Sequence, residues 1–444
     1  MQLLVQLPRL LLMLTTFSIT QACYACQTQC YDGCSMRLVQ PQSRQRVVSR
    51  RHQQPKRWRL LPVALVLMVA FQLLRPLPAA TVTLSLPPLP AAEETQLDWP
   101  DAETAQASLA AEGYGLLATH GSGTPLATAS IAKVITALCV LEKYPLSPGQ
   151  QGPLLTMGPA DVSFYQTEVT RNGSRLPVQT GDQLSEYAAL QAIMIPSANN
   201  IADSLAVWAF GDSGAYQAYA NAYLESHGLT STRVGTDASG FDPSTVSTAA
   251  DLVKLASLAR QNPVLMEIAG QRAVSFPSAG DYTNYNAALG RSGITGLKTG
   301  NNDQNPGALL FTADVPFSRG ELHLNGAVLG ATSLSDALTA SQELVASAGN
   351  NFEAIRYAAA GQQVGTAKAK WGATSPVRVK NDLQLTRWKG HALTEKHTLH
   401  SIAPAATGEV GALAVQAGEV QASVTLTMPE KLVGPSLWWR LTRL

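Results

Sequence analysis

The feature that most restricts this chain is a charge-free apolar run, Leu60 to Leu74 (LLPVALVLMVAFQLL), set behind a dense basic flank. Arg37, Arg44, Arg46, Arg50, Arg51, Lys56, Arg57 and Arg59 crowd the approach, Arg75 closes the run, and no acidic residue occurs between Asp32 and Glu93. A positive flank ahead of an apolar segment is the pattern of an export signal or signal-anchor, with the positive side held in the cytoplasm. Everything after about Pro76 is therefore expected outside the membrane. The run is short for a spanning helix, which usually takes about 17–25 residues, so a cleavable signal competes with an anchor. Cleavage after Ala80 needs small residues one and three places before the cut, and Pro78 occupies the second of these, which favours an uncleaved anchor. The expectation is a single-pass protein of the cell membrane with its folded part extracytoplasmic, or the same part exported after signal cleavage.

On this basis residues 1–57 read as a basic, unfolded cytoplasmic segment, 58–76 as the signal-anchor and 77–98 as a Pro-rich linker. Within that linker Leu84 to Pro90 (LSLPPLP) is expected to act as a stiff tether. Residues 1–35 carry a second apolar run, Leu10 to Phe17, followed by Cys23, Cys26, Cys30 and Cys34. Structural metal sites pair two C-x-x-C knuckles across a longer loop, and no second knuckle follows, so no metal is expected there. Ala22-Cys23 departs from a lipoprotein signal at Thr20, where leucine is usual. Met36 opens a more ordinary membrane-protein start, so residues 1–35 are expected to be an artefact of start-site choice.

Beyond the apolar run the chain must fold without cross-links, because Cys139 is the only cysteine left and is expected to be a buried, inert thiol. A core is affordable in composition: 45% of residues are hydrophobic, 14% are charged, and the net charge of +1 lacks the basic excess of a nucleic-acid binder. Ala107 to Thr119 reads as two strands interrupted at Gly113, and a helix follows from Ser130. Leu184 to Met194 and Ile201 to Phe210 have helical periodicity, with Ile195-Pro196-Ser197-Ala198-Asn199-Asn200 wedged between them. Some of Ser197, Asn199 and Asn200 must then face solvent, a cap or a cleft. Ala308 to Val315 reads as a strand. After Tyr357 short alternating segments (Val377–Lys380, Leu383–Thr386, Ala422–Thr427) predict a small all-β module over 357–444, leaving 99–356 as the main domain. His391, His397 and His400 in that module have no carboxylate or cysteine companions at metal spacing and read as surface residues.

Three short elements carry chemistry. Thr128 to Leu146 (TASIAKVITALCVLEKYPL) places Ser130 and Lys133 one helical turn apart, so an amine lies beside a hydroxyl. Taken alone, a serine ahead of an apolar-periodic run is equally an N-cap, with the lysine solvated. Ser197-Ala198-Asn199 and Lys298-Thr299-Gly300 follow in order, the first in a polar turn between helices and the second just ahead of a strand. Lys298-Thr299-Gly300 by itself is an exposed strand end running into a turn.

Together the three match the S-x-x-K, S-x-N and K-T-G signature of serine penicillin-binding proteins and β-lactamases. The longer contexts PLATASIAKVITALCVLEKYPL, LSEYAALQAIMIPSANNIADSLAVWA, DASGFDPSTVSTAADLVKLA and GITGLKTGNNDQNPGALLFTA resemble the D-alanyl-D-alanine carboxypeptidase branch, strongly from Trp99 to Val315 and weakly into the β module. The resemblance implies an α+β fold: a β-lactamase/transpeptidase-like catalytic domain, with an antiparallel sheet flanked by helices and a helical subdomain, followed by a small all-β domain. It implies hydrolysis of the terminal D-Ala-D-Ala bond of peptidoglycan pentapeptide stems through an acyl-serine, inhibition by β-lactams, and no cofactor or metal.

By this resemblance Ser130 is the nucleophile and Lys133 its base. Lys133 must be neutral part of the time, which burial and the second cation Lys298 are expected to favour. Ser197 relays a proton to the leaving amine, and Asn199 orients the Lys133 amine and the substrate amide. Asn200 stands where the family often has Asp. Lys298 and Thr299 receive the substrate's terminal carboxylate, Gly300 lets substrate approach without a Cβ clash, and the backbone N–H groups of Ser130 and Asn301 form the oxyanion hole. The segment around Lys298 is expected to be an edge strand to which peptide adds. A D,D-transpeptidase would use the same site. A β-lactamase needs an E-x-x-L-N loop after S-x-N, for which Glu225 to Leu229 is the nearest and a poor match. A catalytically inactive wall-binding protein would lack Ser130, Lys133 or Lys298, and all three are present.

Overall fold

The computed structural model describes residues 61–318, 320–403 and 406–443. The segment 1–57 and its four cysteines lie outside the described residues.

The main domain is built on a five-stranded antiparallel sheet in the order Ile294–Asn302, Asn305–Phe317, Gly320–Ala331, Gln106–Ala111, Gly115–His120. The last two are the expected strand pair, turned at Gly113. Both faces of this sheet are covered, which hides the two-residue alternation of its inner strands. Leu309, Phe311 and Ala313 face the helix Leu334–Gly349, while Ala308 and Leu310 on the opposite face join the larger core under the remaining helices.

At the centre of that larger core lies Ala132–Lys143, every residue of which is buried from Ala132 to Leu141. A helix apolar all round belongs inside, and this one is enclosed by Glu186–Met194, Asn199–Phe210, Ser213–Ser226 and Ala249–Arg260. Cys139 is fully buried here, and burial pushes its thiol far above the ordinary range, as an inert packing residue requires.

The β module has a six-stranded antiparallel sheet, Thr81–Leu84, Gln363–Lys368, Thr374–Val379, Val420–Met428, Gly408–Ala417, Leu393–Leu399, beside the pair Phe352–Ala358 and Leu383–Trp388. Its first strand corrects the expectation of a Pro-rich linker and stiff tether over 77–98. Thr81 to Leu84 alternates polar and apolar residues, Val82 and Leu84 turn toward the core, and Leu86 and Leu89 pack on after them. Tyr357 Oη donates to the Pro87 carbonyl at 2.8 Å, and buried Arg387 binds the Ala91 carbonyl at 2.8 Å and Glu93 at 2.6 Å. The prolines flank this strand and leave its pairing intact, as an edge position allows. His397 and His400 are exposed, and among the described residues no cluster of His, Cys, Asp or Glu is arranged to hold a metal ion.

The apolar segment forms the helix Leu61–Leu74, none of whose residues is buried. No helix among the described residues is long and apolar enough to cross a membrane, so the expected transmembrane helix is not seen there.

Candidate active site

Ser130 sits in a single 3₁₀ turn, Ala129–Ile131, that feeds the central helix. Ala129, just before it, takes φ of +47°, a left-handed backbone rare for alanine, and the turn lifts the Ser130 side chain toward a cleft of about 250 Å³. The N-cap of the helix is Ile131, with no side-chain cap, so the Ser130 hydroxyl is not used as a cap. It meets Lys133, whose Nζ lies 2.8 Å from Ser130 Oγ.

Lys133 is fully buried, and its Nζ also donates to Asn199 Oδ1 at 2.7 Å and to the Ser239 carbonyl at 2.9 Å. A neutral amine has two N–H groups and one lone pair. Asn199 and Ser239 offer only acceptors to it, so when neutral its lone pair is left for the Ser130 O–H. Burial pulls the Lys133 amine down to about 8, against the pull of Asp237, Asp203 and Glu168 and with a push from Arg171. Lys298 is likewise buried, and burial first, then Lys133, holds its amine well below the lysine range. Desolvation is the dominant cause for both amines, and the repulsion between the two buried lysines, being mutual, adds to it.

Lys298, Thr299 and Gly300 lie on Ile294–Asn302, an edge strand of the five-stranded sheet as expected. Lys298 Nζ donates to the Thr299 carbonyl at 3.2 Å, and among the described residues it has no carboxylate partner. The ladder pairs Gly300 with Ala308 and Asn302 with Asn305, so at this bulge Asn301 stands against two residues of the neighbouring strand, Pro306 and Gly307, and lines the cleft. Gly300 has a different role from the one expected. A Cβ there would point inward, 2.8 Å from the Thr128 carbonyl oxygen and 3.3 Å from Ile131 Cγ1, so glycine lets the strand press against the Ser130 turn rather than against substrate.

The polar turn between the two helices divides its labour. Ser197, at φ +60°, and Asn199 line the cleft. Asn200 is fully buried and turned away, exchanging hydrogen bonds with the Leu176 backbone at 2.9 and 3.0 Å. Glu225 is exposed on Ser213–Ser226 and does not line the cleft.

Sequence reasoning missed part of the wall: Asn172, Gly173, Ser174, Phe241, Tyr285 and Leu334. It also missed the Ser239 carbonyl, although Ser239 falls inside one of the quoted contexts. Arg171 lies 4.0 Å over the Phe241 ring and joins the two loops that flank the cleft. Apart from Leu334, which opens the helix Leu334–Gly349, these contributions come from coil and from backbone atoms, which leave no spacing signal.

A family model described as D-alanyl-D-alanine carboxypeptidase matches residues 104–333. No curated protein sequence matches the chain. Among solved structures, penicillin binding protein 5 from Haemophilus influenzae aligns over 77% of this chain and 99% of its own, at 19% identity and a TM-score of 0.53. The D-alanyl-D-alanine carboxypeptidase DacD from Francisella tularensis aligns over 78% of this chain and 96% of its own, at 19% identity and a TM-score of 0.54. At these identities both likenesses concern the fold: an α+β catalytic domain followed by an all-β domain.

Proposed function

The chain belongs to the D-alanyl-D-alanine carboxypeptidase family and is a serine D-Ala-D-Ala carboxypeptidase, and we propose that it works through Ser130 and Lys133 on peptidoglycan pentapeptide stems. The observation that carries the assignment is the fully buried Lys133 amine, 2.8 Å from Ser130 Oγ and otherwise faced by two fixed acceptors.

In the proposed cycle the neutral Lys133 lone pair takes the Ser130 proton while Oγ bonds to the carbonyl carbon of the penultimate D-alanine. With burial lowering the amine to about 8, the competent neutral form grows as pH rises toward that value. The backbone N–H groups of Ser130 and Asn301 receive the developing oxyanion; the place of both residues in the cleft lining supports this role. Collapse breaks the C–N bond, and Ser197 passes the proton to the departing amine of D-alanine. Lys298 and Thr299 hold the substrate's terminal carboxylate: a buried lysine with no carboxylate partner among the described residues is suited to bind one. Water then attacks the ester as Lys133 takes its proton, the C–O bond to Ser130 breaks with that proton returned to Oγ, and the stem leaves with its new carboxyl terminus. A penicillin, which also presents a carboxylate beside a reactive carbonyl, would acylate Ser130 and leave slowly, since Glu225 lies out of reach of the cleft. Incubating the protein with a peptide ending in D-Ala-D-Ala and with a fluorescent penicillin tests this: D-alanine release with slow penicillin turnover is expected, and fast penicillin hydrolysis with the peptide untouched would overturn it.

Attachment to the membrane through the apolar segment is also proposed. Leu61, Val63, Leu65, Val66, Phe71 and Leu74 are all exposed on Leu61–Leu74. The short helix Leu437–Thr442, with Leu437 and Trp438 exposed, meets the end of the apolar helix, where Arg440 and Arg443 donate to the carbonyls of Leu73, Gln72 and Pro76. Apolar and Trp side chains beside arginines suit a lipid boundary. Fractionation that leaves the protein in the pellet after high-salt washing supports this, and a soluble product starting near Thr81 would refute it.

A further inference from the structure

We propose that Glu168 is a positioning residue for the reaction: through Asn199 it fixes which group faces Lys133, and so aims the lysine lone pair at Ser130. This rests on the assignment of Lys133 as the base.

Glu168 is the only buried residue of the helix Pro159–Thr170, an odd place for a carboxylate unless its oxygens are engaged. Both are. Oε1 accepts from the Arg171 guanidinium, and Oε2 accepts from Asn199 Nδ2 at 2.9 Å. An ionised carboxylate only accepts, so the Asn199 amide must turn its NH₂ toward Glu168 and its carbonyl toward Lys133. That orientation leaves the Lys133 lone pair one destination. With the amide reversed, its NH₂ would compete with the Ser130 hydroxyl for the lone pair, and the base would be tied up.

Gly173 makes the contact fit. It lines the cleft wall, and a Cβ there would fall 1.9 Å from Glu168 Oε2 and 3.0 Å from Asn199 Nδ2. The carboxylate therefore fills the space that a side chain would take. The charged groups facing Lys133 are Asp203, Asp237 and Glu168 on one side of the balance and Arg171 and Lys298 on the other. Removing the negative charge of Glu168 leaves Arg171 unpaired, and both changes lower the Lys133 pKa.

The test uses the full chain with Glu168→Gln and Gly173→Ala, measuring acylation by a fluorescent penicillin across pH 6 to 10 and deacylation separately, with circular dichroism to establish folding. A glutamine can present either an acceptor or a donor to Asn199, so the plateau acylation rate of Glu168→Gln is expected to fall about 10- to 100-fold. Its acid limb should move to lower pH, which a structural role alone would not produce. Gly173→Ala keeps the charge but displaces the carboxylate, and its plateau should fall comparably, so it carries the test if Glu168→Gln does not fold. Folded Glu168→Gln with a wild-type plateau and limb overturns the proposal, as does Gly173→Ala with wild-type acylation. A loss confined to deacylation also overturns it and makes Glu168 the activator of water. Lys133→Arg, run in parallel, separates the two readings: if that variant acylates normally, the base assignment itself fails.

Discussion

Gly300 and Thr128 touch where the edge strand meets the nucleophile's turn: a Cβ on Gly300 would stand 2.8 Å from the Thr128 carbonyl oxygen. That carbonyl accepts from the Ile131 amide and so holds the turn that carries Ser130. Gly300→Ala should push strand and turn apart. Overpacking costs about 1–3 kcal/mol, and a shift near 1 Å costs about 10²-fold in rate. A lowered Tm together with a large loss in kcat/KM is expected, measured by thermal melting and D-alanine release. Full activity in this variant would show that the contact does not set the geometry.

Lys133→Arg keeps the positive charge but not the capacity to lose a proton, because guanidinium stays protonated in proteins. Acylation by penicillin should fall by about 10²- to 10⁴-fold, the usual share of a general base. Near-normal acylation would place the base elsewhere.

The acid limb of acylation follows from the same amine. Burial lowers the Lys133 pKa to about 8, and only the neutral form accepts the Ser130 proton, so the rate should rise with pH and level off above about 8. A titration of acylation rate against pH checks this. A rate already flat from pH 6 would mean that the lysine is neutral throughout or is not the base.

Lys298→Gln removes the cation offered to the terminal carboxylate. Losing a charged hydrogen bond of about 1.5–3 kcal/mol predicts a drop of roughly 10- to 150-fold in kcat/KM for the peptide and in acylation by penicillin alike. A peptide with its C-terminus amidated should already be poor for the wild type and lose little more in the variant. Equal losses for free and amidated peptides would contradict a carboxylate contact.

The three motifs were readable because each keeps its chemistry within a few residues, and the helices and strands around them showed their periods. What escaped depends on distant contacts. Thr81 to Leu84 pairs with Lys368 to Gly365, a partner far along the chain, and local reading saw only the prolines. Gly300 pointed toward a substrate until the Thr128 carbonyl was seen against it. Glu168 lies in a polar helix with no period of its own, and its meaning comes from Asn199, 31 residues on. Ser239 acts through its carbonyl, which any residue there would supply.

The most direct test is covalent. Intact mass and peptide mapping after incubation with a penicillin should show one adduct on the wild-type chain, carried by the peptide containing Ser130. Ser130→Ala, with an unchanged circular dichroism spectrum, should show no adduct and release no D-alanine from a D-Ala-D-Ala peptide. An adduct that persists in that variant, or that maps to Ser197, would contradict the assignment of Ser130 as the nucleophile.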